Sequence, residues 1–163
     1  VKGVLATAAV GSLVGDWPPG TLVVPNDLLD LTYRNLTLYD KTVHHQDVSE
    51  PFHPAVRSAL LDAVGPDRID GGVYLGLNGP RYETPREIVT FKGLGADLVG
   101  MTASSEALLM AEAGVPYGLL AIVTNLAAGM QEGPLDHSEV VDVMKETGSR
   151  VVDGLLAAAT AVG

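Results

Sequence analysis

The chain has 163 residues, 47% of them hydrophobic, which is enough for a single domain (residues 1–163) with its own core. Its formal net charge of −10, from 20 acidic against 10 basic residues, argues against nucleic-acid or anionic-membrane partners. No run approaches the ~18 apolar residues of a membrane span, and the absence of cysteine excludes disulfides, thiolate metal sites and cysteine nucleophiles.

The opening Val1-Lys2-Gly3-Val4-Leu5 reads as the middle of a strand and not as a leader peptide. N-terminal sequence is therefore expected to be missing, and the cytoplasm is the expected compartment. Residues 3–10 form a buried strand that ends at the small pair Gly11-Ser12. A second strand is predicted over 21–25, after the turn Pro18-Pro19-Gly20. Residues 30–50 are polar and without period, and carry His44 and His45; irregular sequence of that length is usually functional or covers an interface.

The spacing of Val56, Ala59, Leu60, Ala63 and Val64 predicts a helix over 54–64, with Pro54 in its first turn. A strand over 72–77 is broken by Asn78-Gly79-Pro80. Thr84-Pro85-Arg86-Glu87 then opens a helix with the pattern of a capping box. A strand over 96–101, a helix over 104–113 and a long apolar strand over 117–124 follow. A last helix runs from His137 to about residue 161, with Pro134 and Asp136 as start signals. Strands alternating with helices predict an α/β fold around a parallel or mixed sheet.

Ligands of open α/β sheets collect beyond the carboxyl ends of strands. Four such ends carry small or polar residues: Thr7-Ala8-Ala9, the stretch 78–83, Met101-Thr102 and Thr124-Asn125. Each alone reads equally well as a turn or a cap. In order, however, they match a family. The run Gly79-Pro80-Arg81-Tyr82-Glu83-Thr84-Pro85-Arg86-Glu87-Ile88 resembles the purine-binding signature of purine nucleoside and methylthioadenosine phosphorylases of the trimeric type. Gly95-Ala96-Asp97-Leu98-Val99-Gly100-Met101-Thr102, with Glu106-Ala107, resembles their ribose and phosphate segment. Val123-Thr124-Asn125-Leu126-Ala127-Ala128-Gly129 resembles the base-recognition strand of the 6-oxopurine enzymes. Ala9-Val10-Gly11-Ser12-Leu13 and Ser49-Glu50-Pro51-Phe52 are closer to the methylthio branch.

The resemblance implies a phosphorylase/hydrolase-like three-layer fold with a mixed central sheet, lacking its N-terminal portion. It implies phosphorolysis of a purine nucleoside of the inosine, guanosine or 5′-methylthioinosine type, without cofactor or metal and with inorganic phosphate as co-substrate. It also implies a homotrimer. Asn125 is expected to stabilise the departing base, since its amide offers a donor and an acceptor to purine N7 and O6. Glu83 is expected to accept from N1–H, Tyr82 to pack on the base, and Thr124 and Ala127 to complete the purine subsite. Met101 and His137 are expected at the sugar, with His45 reaching the 5′ end of a neighbouring subunit's site. Thr102 and the backbone N–H of Ala9 are expected at phosphate.

Some features depart from the family pattern. The family's glycine-rich phosphate loop and Arg-His pair have no counterpart, so the phosphate site is expected to be incomplete in these residues. Ala103-Ser104-Ser105 replaces a Val-Pro-type sequence, and residues 30–40 carry a loose version of an Asp-Arg-Thr motif. Asn125 and Ala127 stand where adenine-specific relatives have aspartates, which favours a 6-oxopurine. The alternatives are an S-methyl-5′-thioadenosine phosphorylase, a catalytically inactive nucleoside-binding relative and, last, a nucleosidase.

Overall fold

The computed structural model describes residues 1–131, 133 and 137–162. Its elements, in chain order, are β1 (Val4–Ser12), β2 (Leu22–Val24), β3 (Asp27–Asp30), α1 (Pro54–Val64), β4 (Ile69–Asp70), β5 (Val73–Gly76), α2 (Pro85–Gly93), β6 (Leu98–Gly100), α3 (Ala103–Glu112), β7 (Tyr117–Leu126) and α4 (His137–Val162). The seven strands form one mixed sheet in the order β3-β5-β6-β1-β7-β2-β4. The expected α/β fold with a mixed central sheet is what the chain adopts. The start signals Pro134 and Asp136 lie outside the described residues.

The sheet is built around β7, whose first nine residues are all buried. A near-continuous apolar run is what a strand covered on both faces requires. Its side chains alternate between two layers. Leu119, Ala121 and Val123 pack with Ala103 and Ala107 of α3, whereas Leu120 and Ile122 pack with Leu60 of α1 and Val151 and Ala158 of α4. α2 covers a third cluster through Ile88, against Leu13, Leu75, Val99 and Ala127.

Local chemistry sets the helix boundaries. Thr84 accepts from the Glu87 N–H and Glu87 accepts from the Thr84 N–H, a complete capping box with Pro85 at the first position. His53 is exposed and caps α1: its Nδ1 accepts from the Ala55 N–H at 3.3 Å.

Two strands escape the sequence reading. β3 begins and ends in aspartate, and β4 is two residues long between glycine- and proline-bearing turns, so neither carries an apolar period. Asp30 accordingly ends a strand rather than opening the irregular stretch. Between Leu31 and His53 the backbone forms neither helix nor strand.

Candidate active site

β1 and β7 run parallel, in register from Val4↔Tyr117 to Val10↔Val123, and then slip so that Gly11 faces Asn125. Thr124 is the extra residue of this bulge. Successive strand side chains normally point to opposite faces; the bulge re-aims them, so that Thr124 and Asn125 line the same cavity. On the other side β6 runs antiparallel to β1 and, among the described residues, pairs with it only at Gly11 and Ser12. Beyond Gly100 the chain turns into α3 and leaves that edge of β1 open.

The resulting cavity has a volume of about 510 Å³. Residues 7–11 of β1 form its floor, and residues 99–102 and the pair Thr124-Asn125 form its sides. Pro80, Tyr82 and Glu83 come from the loop after β5, and His137 and Val140 from the first turn of α4. Thr7-Ala8-Ala9, expected as a strand end, lies in the interior of β1. In a mixed sheet the carboxyl ends do not share one edge, and the cavity uses the unpaired flank of β1 instead.

Of the residues singled out in the sequence, Ala9, Tyr82, Glu83, Met101, Thr102, Thr124, Asn125 and His137 meet at this cavity. Ala127 does not: it is buried beneath it with Leu13, Leu75 and Ile88. His45 is exposed, in the irregular 31–53 segment, outside the cavity. Thr7, singled out in the sequence without a role of its own, also lines the cavity, whereas Gly11 and Val140 were given no place at the site. Thr7 and Gly11 both follow from the two-residue period of β1 through Ala9. Val140 follows from the three-residue spacing after His137 on a helix.

Asn125 is buried, at 7% exposure. Its Oδ1 accepts from the Thr124 hydroxyl at 3.1 Å and its Nδ2 donates to the Leu126 carbonyl at 3.0 Å. These bonds fix the amide plane and leave it one N–H and one oxygen lone pair for a ligand. The Thr124 hydroxyl also lies 3.3 Å from the Val10 carbonyl, which anchors the bulge to β1.

The loop carrying Tyr82 and Glu83 is held by its neighbours. Arg81 donates to both carboxylate oxygens of Glu87, at 2.8 and 2.7 Å. That fork, with the cap bond from Thr84, lowers the Glu87 carboxyl to about 2. Arg81 is thereby engaged away from Glu83. Burial raises the half-buried Glu83 carboxyl above its ordinary value, the Glu87 charge adds to this, and Arg81 only partly offsets it.

At the opposite wall, Tyr74 is fully buried. Its hydroxyl oxygen accepts from the N–H groups of Thr102 and Ala103 at 3.3 and 3.2 Å. Burial, the largest influence, pushes the phenol above its ordinary value. Thr102 starts α3 without capping it, so its side chain makes no helix-cap bond. Gly100 is required where it stands, because a Cβ there would collide with the Tyr74 hydroxyl. Among the described residues no group of three or more His, Asp or Glu side chains converges as metal ligands would.

Residues 1–159 match the "Phosphorylase superfamily". The chain belongs to that superfamily. This phosphorylase-superfamily chain is 42% identical over 165 residues to a probable 6-oxopurine nucleoside phosphorylase of Moorella thermoacetica, covering 97% of this chain and 64% of the relative. It is 42% identical over 154 residues to a probable S-methyl-5′-thioinosine phosphorylase of Methanothermobacter thermautotrophicus, covering 94% of this chain and 54% of the relative. A crystal structure of methylthioadenosine phosphorylase from Schistosoma mansoni in complex with adenine superposes with a TM-score of 0.93 at 30% identity. That match covers 99% of this chain and 66% of the other. The chain thus spans between half and two thirds of the length of these relatives.

Proposed function

We propose that the protein to which this chain belongs cleaves purine nucleosides with inorganic phosphate, releasing the base and a ribose-1-phosphate or 5-methylthioribose-1-phosphate. The observation that carries this reading is the bulge at Thr124, which presents a fixed Asn125 amide to the same cavity as Glu83 and Thr102. The leaving purine builds up negative charge as the C–N bond breaks, and a pre-oriented N–H donor lowers that barrier. Asn125 supplies the donor to N7. Tyr82 packs against the base, with Thr124 beside it and Ala127 behind the strand. Met101 and His137 bind the sugar. The Thr102 hydroxyl and the Ala9 N–H contribute to the phosphate subsite, and holding phosphate beneath the sugar turns a two-body encounter into an oriented one. No organic cofactor or metal takes part in this scheme. The working assembly is a homotrimer in which His45 closes a neighbour's site, and the compartment is the cytoplasm.

The base is the finer question, and two readings have support. Two solved structures similar to this chain are methylthioadenosine phosphorylases from Schistosoma mansoni in complex with adenine, which favours S-methyl-5′-thioadenosine as substrate. Glu83 and Asn125 favour a 6-oxopurine, as do the names of the curated relatives. The raised Glu83 carboxyl bears on both readings: ionised it accepts from the N1–H of a 6-oxopurine, and protonated it donates to adenine N1. Turnover of inosine, 5′-methylthioinosine and 5′-methylthioadenosine, with and without phosphate, separates them. Adenine release much faster than hypoxanthine release rejects the 6-oxopurine reading, and the reverse rejects the adenine one.

A further inference from the structure

The irregular 31–40 stretch contributes nothing to the cavity wall, yet Arg34 within it bonds three separate segments. Its Nε donates to Asn78 Oδ1 at 2.9 Å, one terminal nitrogen to the Ser105 hydroxyl at 2.9 Å, and the other to the Met101 carbonyl at 3.4 Å. Asn78 is itself fixed, donating through Nδ2 to the Thr32 carbonyl at 2.6 Å. One turn earlier, Asp30 accepts from the Thr32 N–H and hydroxyl and from the buried Ser104 hydroxyl at 3.3 Å. Ser104 and Ser105 belong to the Ala103-Ser104-Ser105 segment that departs from the family's Val-Pro-type sequence. Here both fasten the first turn of α3 to the 30–34 segment.

That turn begins at Thr102, whose side chain does not cap it. The direction in which Met101 and Thr102 face the cavity is therefore set from outside, by Tyr74 beneath and by Arg34 above. We propose that Arg34 is a positioning residue: its planar fork clamps the Met101–Thr102 corner against the ends of β5 and β6 and so orients the phosphate subsite. The proposal rests on the phosphorolysis reading. Arg34 is not among the residues lining the cavity and acts through Met101 and Ser105. All three acceptors are neutral, so the geometry of the fork matters rather than its charge. A lysine, with one compact ammonium, does not span three divergent acceptors.

The test compares Arg34→Lys, Arg34→Met and the milder Ser105→Ala in the full-length protein. Two readouts are used: amide hydrogen exchange at Thr102 and Ala103, and steady-state kinetics with phosphate and nucleoside varied separately. Both Arg34 variants are expected to speed exchange at these amides by about tenfold and to raise KM for phosphate by about tenfold, equivalent to ~1.4 kcal/mol. KM for the nucleoside rises by less than KM for phosphate, through the sugar contact of Met101 at the same corner, and Ser105→Ala falls between wild type and Arg34→Met. Wild-type behaviour of Arg34→Lys in both readouts would overturn the proposal, because charge alone would then suffice. So would unchanged exchange in both Arg34 variants. If the wild type shows no phosphate-dependent cleavage, the phosphorolysis reading fails by itself, and the exchange data still decide whether Arg34 holds the corner.

Discussion

Tyr74→Phe isolates what holds the wall of the cavity. The substitution keeps the fully buried ring and removes only the oxygen that accepts the Thr102 and Ala103 N–H groups at 3.3 and 3.2 Å. Ala103 is buried, and its N–H then has no partner within the fold; leaving such a donor unsatisfied costs about 1–3 kcal/mol. The Thr102 N–H is only part-buried, so water replaces its lost acceptor and adds little. A net loss of about 1–3 kcal/mol lowers Tm by roughly 2–12 °C in a domain of this size, at about 2–4 °C per kcal/mol. Thermal unfolding by circular dichroism reads the loss, and amide exchange at Thr102 and Ala103 localises it. A Tm within about 1 °C of wild type, with unchanged exchange at Ala103, would refute the view that the phenol organises the start of α3.

Asn125→Ala is expected to lower kcat by about 10²–10³ while the fold is retained, as for loss of one preorganised donor to a developing anion; stopped assays of base release check it. Raising pH deprotonates Glu83, whose carboxyl titrates above its ordinary value, so turnover of inosine relative to adenosine-type substrates rises with pH. Glu83→Gln flattens that profile. Glu87 is depressed to about 2, so the stability it contributes is present above the ordinary carboxylate value and is lost as pH falls from about 4.5 to 2. Glu87→Gln, followed by acid titration of the unfolding midpoint, shows no such loss. Leu60→Ala removes a fully buried side chain between α1 and the sheet and costs about 2–5 kcal/mol in urea unfolding.

The strands and helices that the sequence discloses are those whose own residues carry a period or a cap. β7 announces itself by an unbroken apolar run, and α2 by Thr84 and Glu87. β3 and β4 do not, because their strand state comes from pairing with β5 and β2 and not from their own side chains. The same limit applies at the site. Tyr82, Glu83 and Asn125 are legible as a motif, but the slip that puts Thr124 and Asn125 on one side of β7 exists only in the register with β1. Ala127 shows the converse: it follows the motif in sequence but turns into the core as the strand ends. Ser104 and Ser105 register in sequence only as a departure from pattern, and their partners Asp30 and Arg34 lie some seventy residues away.

The most direct test of phosphorolysis is base release from inosine, 5′-methylthioinosine and 5′-methylthioadenosine by the full-length protein, with and without phosphate. Release is expected to require phosphate and to yield one sugar-1-phosphate per base. Release at the same rate without phosphate, or nucleoside binding with no cleavage of any of the three, would contradict it.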